Sequence, residues 1–192
     1  MKTLWKSLKL TVAFCAILGV FYVAVLRAFA QAATPRGGRI ETLSAGGRTV
    51  GAANVGQAFT DSAYFWGRPS AVDYNAALSG GSNMGTCNPD YLAEVESRTV
   101  KFLSAHPYLS RGDVPAELVT ASGSGLDPDI TPYGARIQVR RVAEARGLDT
   151  AAVRRLVDSL TARPWLGIFG PAKVNVLKLN IALGTMPSGA GE

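Results

Sequence analysis

Residues 10–26, LTVAFCAILGVFYVAVL, hold no charged side chain, and this run constrains the chain more than any other stretch. At about 1.5 Å per residue, a helix over residues 10–30 reaches about 30 Å, the thickness of a bilayer's hydrocarbon core. Arg27 falls within a turn of its end, where a long side chain snorkels to the headgroups. A cleaved secretory signal would share some of these features: a basic start (Lys2, Lys6, Lys9) and a small-x-small site such as Ala28-Phe29-Ala30. The apolar run exceeds the roughly 7–15 residues of a signal core, however, and Arg27 breaks into the cleavage region, so an anchor is favoured. By the positive-inside rule the three lysines keep the N-terminal tail in the cytoplasm, a bias that Arg36 and Arg39 weaken without reversing. The expected organisation is a cytoplasmic tail 1–9, a transmembrane helix 10–30, a linker and first hairpin 31–47, a single soluble extracytoplasmic α+β domain 48–186 and a disordered tail 187–192.

The formal net charge of +6 belongs to the membrane end. Lys2, Lys6, Lys9 and Arg27 are four of the 20 basic residues, leaving 16 against 14 acidic ones over residues 33–192. So even a balance gives no footing for nucleic-acid binding. The remaining 160 residues suffice for one domain with its own core. Cys15 lies mid-helix and Cys87 in the domain, so no intrachain disulfide is expected, and with a single histidine, His106, a His- or Cys-based metal site is not expected either.

Thr11, Cys15 and Gly19 recur every four residues, and Ala24 and Ala28 repeat the spacing further along; small residues in such a row let a neighbouring membrane helix approach closely. After a short hairpin around 40–43, residues 48–59 alternate weakly, as a strand does. Residues 64–85 are dense in turn formers and lack any helical period; ordered loops of that length are usually functional. Asn88-Pro89 opens a helix whose inner face is Leu92, Val95, Phe102 and Leu103 and which His106-Pro107 ends. A second loop, 119–132, precedes a helix capped by Thr131, lined by Ala135, Val139, Val142 and Ala143 and closed by Gly147. Asp149 caps a third helix through Val153, Leu156, Val157 and Leu160. Residues 173–183 read as a strand with a phase shift at Val176/Leu177, the mark of a bulge or of burial on both faces.

Catalytic apparatus is missing: there is no Gly-Lys pair of a phosphate-binding loop, no GxGxxG and no HExxH. Ser122 or Ser124, within Ser-Gly-Ser-Gly, could serve an exported serine hydrolase only with His106 as base, and the sequence lacks the nucleophile elbow; a structural turn fits better. Ser79-Gly80-Gly81-Ser82 could cradle an anion on its backbone amides, the basis of a nucleotide-binding alternative.

A family resemblance is carried by spaced motifs that follow one another in order: Gly56-Gln57, Tyr64-Phe65-x-Gly67-Arg68-Pro69-Ser70-Ala71, Ser79-Gly80-Gly81-Ser82-Asn83, Leu118-Val119-Thr120-Ala121-Ser122-Gly123-Ser124-Gly125-Leu126-Asp127, Ile130-Thr131-Pro132, Arg141-Val142-Ala143 and Val174-Asn175-Val176-Leu177-x-Leu179-Asn180. Together they resemble the C subunit of bacterial potassium-transporting Kdp ATPases, the KdpC family, from the membrane helix to about Leu183. Trp66 stands where that family has His, and Asp129 where it has His or Asn.

The resemblance implies a single-pass subunit of the inner membrane, without catalytic residues or tightly bound cofactor. It would sit in a complex with a channel-like potassium-binding subunit, a P-type ATPase subunit phosphorylated on Asp and a very small helical one. It implies a catalytic chaperone that raises the ATPase subunit's affinity for ATP, with nucleotide contact at Gln138. That contact conflicts with the lysine-tail orientation, which places Gln138 on the outer side, away from ATP; the orientation carries more weight, because a whole domain would otherwise have to change sides. Beside Arg140 and Arg141, Gln138 also reads as one more polar residue on a solvated helix face.

Overall fold

A computed structural model describes residues 2–187, so of the C-terminal tail expected at 187–192 all but Pro187 lies outside the described residues. The chain divides into two compact units, with the boundary after Glu41. In the first unit a single helix, α1, runs Lys2–Ala33, 32 residues. It begins at Lys2 rather than at the apolar run, so the lysine-bearing tail is itself helical. The middle, Cys15–Phe21, winds as a π-helix before the α-helical pattern resumes. No residue of α1 is buried by the chain itself. Thr34 ends it, its hydroxyl donating to the Ala30 carbonyl at 2.5 Å.

The second unit is an α+β domain. Strands β1 (Thr42–Ala45) and β2 (Arg48–Ala52) form an antiparallel hairpin with a register shift at Leu43/Ser44. Its two-residue tip, Gly46-Gly47, has φ of 56° and 77°, the primed turn that matches the twist of paired strands and favours glycine. Helix α2 (Pro89–Ala105) starts where Asn88 accepts from the amides of Asp90 and Tyr91, with proline at its first position. Its core-facing side is Val95, Thr99, Phe102 and His106; Leu92 keeps the same spacing but, in the helix's first turn, is exposed.

The helix expected over 132–147 is two. α3 (Pro132–Arg136), capped by Thr131, is followed after a kink at Ile137-Gln138 by α4 (Val139–Arg146), which ends at Gly147 with φ 62°. α5 (Thr150–Ser159) is capped by Asp149 and buries Val153 and Val157. A small antiparallel sheet joins distant parts of the chain: β5 (Lys173–Asn175) lies between β3 (Asp129–Ile130) and β4 (Thr161–Ala162).

The strand expected over 173–183 stops after three residues, and α6 (Val176–Gly184) takes its place. Two causes are visible. Asn175 accepts from the Lys178 amide at 3.0 Å, an N-cap inside the presumed strand. Val176, Leu177, Leu179, Asn180 and Leu183 are the buried residues, a spacing of i, i+1, i+3, i+4, i+7 that belongs to a helix, so the phase shift was the helical period itself. The Asn175 Nδ2 also donates to the Ala53 carbonyl at 2.6 Å. Asn175→Ala is expected to lower stability by about 1–2 kcal/mol, as read from urea midpoints of the full chain in detergent.

Candidate functional site

Residues 62–70 belong to no strand or helix, so their backbone polar groups must find partners elsewhere in the domain. Two side-chain amides supply them. The Phe65 amide donates to Asn180 Oδ1 at 2.9 Å, and Asn180 Nδ2 donates back to the Phe65 carbonyl at 3.0 Å. One residue on, the Trp66 amide donates to Gln138 Oε1 at 2.8 Å, while Gln138 Nε2 donates to the carbonyls of Trp66 (3.1 Å) and Gly134 (3.0 Å). A primary amide has the donor–acceptor set of a peptide unit, so each acts here as a one-residue stand-in for a neighbouring strand. Asn180 sits on α6 and Gln138 at the α3–α4 kink, so the loop is pinned to both.

Arginines complete the clamp. Arg141, buried in α4, donates from Nε to His106 Nε2 at 2.9 Å, from Nη2 to Gln138 Oε1 at 2.8 Å and from Nη1 to the Ser62 carbonyl. Its guanidinium carbon also lies 4.3 Å from the Trp66 ring centroid, a cation–π contact that gives the tryptophan a structural role. Arg146 donates to the Ala63 carbonyl at 2.7 Å and covers the Tyr64 ring at 4.9 Å.

Because His106 Nε2 accepts from Arg141, the proton must sit on Nδ1, which faces the Phe102 carbonyl at 2.7 Å. Burial pushes the His106 pKa down to about 4, the Arg141 charge adding to the effect and the Phe102 bond opposing it. Burial likewise lowers Arg141 to about 10, which leaves it charged at neutral pH.

The two irregular loops of the domain pack on each other. Ser70 Oγ donates to the Gly125 carbonyl at 2.7 Å while accepting from the amides of Val72 and Tyr74. Those bonds hold a turn in which Asp73 and Tyr74 both have positive φ. Arg68 pairs with Asp127 at 3.0 Å. The Ser79 hydroxyl and the Gly80 amide both donate to the Ser124 carbonyl, at 3.0 and 2.8 Å. A Cβ on Gly125, whose φ is 68°, would meet the Gly80 carbonyl oxygen at 2.8 Å, so glycine is needed for this approach.

Of the residues singled out in the sequence, Ser79, Gly80 and Gly81, with Ser82 next in the chain, are thus brought against the 122–125 loop and not to Gln138, whose partners are Trp66, Gly134 and Arg141. Gln138 is fully buried, not on a solvated face; Arg140, beside it, is the exposed one and pairs with Glu144. Ser122 is 3 % exposed, and both ring nitrogens of His106 are committed elsewhere, so serine and base do not meet. Thr11, Cys15 and Gly19 lie on α1, the last two inside the π-helical turn, where a Cβ added at Gly19 would meet nothing within 4 Å. Among the described residues no group of three or more His, Cys, Asp or Glu could hold a metal ion. Asn180, Arg141 and His106 were missed as a constellation, although Gln138, Arg141 and Val142 share the i, i+3, i+4 face that the apolar pattern had marked as inward.

Residues 4–185 match the family model described as KdpC: K+-transporting ATPase, c chain. This chain belongs to the KdpC family. It is 61 % identical over 185 residues to the potassium-transporting ATPase KdpC subunit of Bacteroides fragilis strain YCH46, covering 95 % of this chain and 97 % of that protein. The KdpC subunit of Flavobacterium psychrophilum is 52 % identical over 183 residues (95 % and 98 %). That of Burkholderia vietnamiensis is 46 % identical over 193 residues, covering 98 % of this chain and all of its own length. Every residue of the amide clamp lies within the stretch matched by the KdpC model.

Proposed function

We propose that this chain is the non-motor accessory subunit of a potassium-transporting ATPase, anchored in the bacterial inner membrane by α1 with its domain on the outer side, and that it assembles and stabilises that complex. The observation that carries this reading is α1 within the KdpC match: an apolar helix of 32 residues none of which the chain buries, and so one that needs lipid and partner helices around it. The companions it is built to meet are a channel-like potassium-binding subunit, a P-type ATPase subunit and a small helical subunit. In this reading its effect on ATP affinity in the ATPase subunit is conveyed through the assembly. Gln138, sealed beneath Trp66 and bonded to Arg141, serves that effect by positioning the loop and does not touch nucleotide.

Thr11→Leu, Cys15→Leu and Gly19→Leu together test the helix contact. No residue of α1 is buried by the chain, and a Cβ at Gly19 meets nothing, so the substitutions leave the domain intact. Co-expression with the other subunits is expected to yield a complex depleted of this chain and with reduced potassium-stimulated ATP hydrolysis. A complex that assembles fully and hydrolyses ATP normally with the triple variant would refute the packing face, and one fully active without the chain would refute the accessory role.

A further inference from the structure

Beyond the clamp and α1, the most unusual surface is the turn that joins β4 to β5. Trp165, Leu166, Ile168 and Phe169 are 70, 71, 77 and 56 % exposed, four large apolar side chains within five residues. A cluster of this kind at a hairpin tip is a contact surface waiting for an apolar phase. Its backbone is prepared for one. The amides of Trp165 and Phe169 each donate to the other's carbonyl at 2.9 Å, Gly167 donates to Pro164, and Ile168 to Trp165, so the tip can leave water without orphaning these amides. Leu166 and Gly167, with φ of 52° and 78°, form the tight turn that projects the side chains outward.

At the base of the tip, Arg163 is exposed just before it. Lys173, opposite Ala162 in the β4–β5 ladder, is exposed just after it but pairs with Asp129 at 2.6 Å, so the cation available at the base is Arg163. No Asp or Glu occurs anywhere between Asp158 and Glu192. Aromatic and aliphatic side chains at a tip with an arginine one step behind them match the layering of a phospholipid surface, acyl chains inside and phosphates outside. Residues 34–41 alone join this domain to α1, so a bilayer is available within one short linker.

We infer that the 164–170 turn is a second, interfacial membrane attachment, with Trp165, Leu166, Ile168 and Phe169 seated at the headgroup–acyl boundary of a phospholipid bilayer and Arg163 at phosphate level. The inference rests on α1 being a membrane anchor, and the tryptophans allow the two to be tested apart. The chain has three: Trp5 on α1, Trp165 on the tip and Trp66, whose indole is held by the Asp61 carbonyl inside the domain. The full chain would be reconstituted into vesicles of equal parts phosphatidylglycerol and phosphatidylethanolamine, with and without bromine near the top of the acyl chains, as Trp5→Phe and as Trp165→Phe.

Bromolipid quenching in Trp165→Phe reports α1, and quenching in Trp5→Phe reports the tip. Quenching in both is the expected result. Ile168→Asp on the Trp5→Phe background should then shift the inserted-to-released ratio of the tip about tenfold towards release. Quenching in Trp165→Phe alone would overturn the tip's role while leaving the anchor, and an unresponsive Ile168→Asp would do the same. Quenching in neither would remove the anchor and this inference with it. If Trp165 is quenched in the isolated chain but becomes unquenched in the assembled complex, the tip serves a protein partner there, and the lipid assignment falls.

Discussion

Replacing Gln138 with alanine is expected to cost the domain about 3–4 kcal/mol, a large part of the roughly 5–15 kcal/mol that holds a domain together. The loss comes from what the amide leaves behind. The Trp66 N–H and the Trp66 and Gly134 carbonyls lose their partner inside the domain, and Arg141 loses an acceptor for its Nη2. Each buried group stranded in this way costs about 1–3 kcal/mol before any relaxation. Asn180→Ala should act in the same direction through Phe65, because it breaks the adjoining reciprocal pair. Urea unfolding of the full chain in detergent, followed by the near-ultraviolet signal of Trp66, measures both. The same variant decides between positioning and contact. If Gln138 acts by ordering the 62–70 loop, any loss of ATP affinity in the assembled complex tracks the loss of stability and is recovered at low temperature. A Gln138→Ala chain with an unchanged urea midpoint and a selective loss of ATP affinity would make Gln138 a nucleotide contact after all.

The sequence disclosed what local rules govern and concealed what pairing at a distance governs. Asn88, Thr131 and Asp149 announce helix starts by their side chains alone, and each caps as expected. The apolar run of α1 needs no partner to be recognised. At Asn175 two local signals competed: β-branched and apolar residues on both sides suggested a strand, and the capping asparagine with an i, i+3, i+4, i+7 set suggested a helix. The helix wins because burial of Leu179 and Leu183 against the core requires that period.

The 64–85 loop was legible as irregular but not as clamped. Its order comes from Gln138 and Asn180, 72 and 115 residues away in the chain, and from the opposite loop through Ser70 and Gly125. Polar side chains on helices look solvated when read one at a time. Gln138 and Arg141 are buried because they satisfy one another and a stretch of backbone that has no other partners.

Mild acid should loosen the domain, and His106 should be the reason. The folded chain resists protonating His106 until about pH 4, whereas an unfolded chain accepts that proton near its ordinary value of 6.5. Between these values the unfolded state holds more protons, so stability falls as pH falls through that window, and above 6.5 the contribution is complete. The full difference amounts to about 3 kcal/mol, at 1.36 kcal/mol for each unit of separation. The physical origin is the bond from Arg141 Nε, which needs a lone pair on His106 Nε2; a protonated ring would turn a donor against a cation inside the core. Tyr108, edge-on to the ring, offers no negative charge to relieve it, because burial holds its hydroxyl above the usual phenol range. The shifted carboxyls, Glu96 and Asp113, lie below their ordinary values, so they lose protons at lower pH than usual and leave the upper part of the window to histidine. His106 is the chain's single histidine, which makes the assignment clean. Urea midpoints of the full chain should decline steadily from pH 7 to pH 5. In His106→Gln, which offers Arg141 an oxygen but takes up no proton, the decline over the same interval should vanish although the variant starts from a lower midpoint. An equally steep decline in the variant would show that another group, and not the His106–Arg141 bond, senses acid.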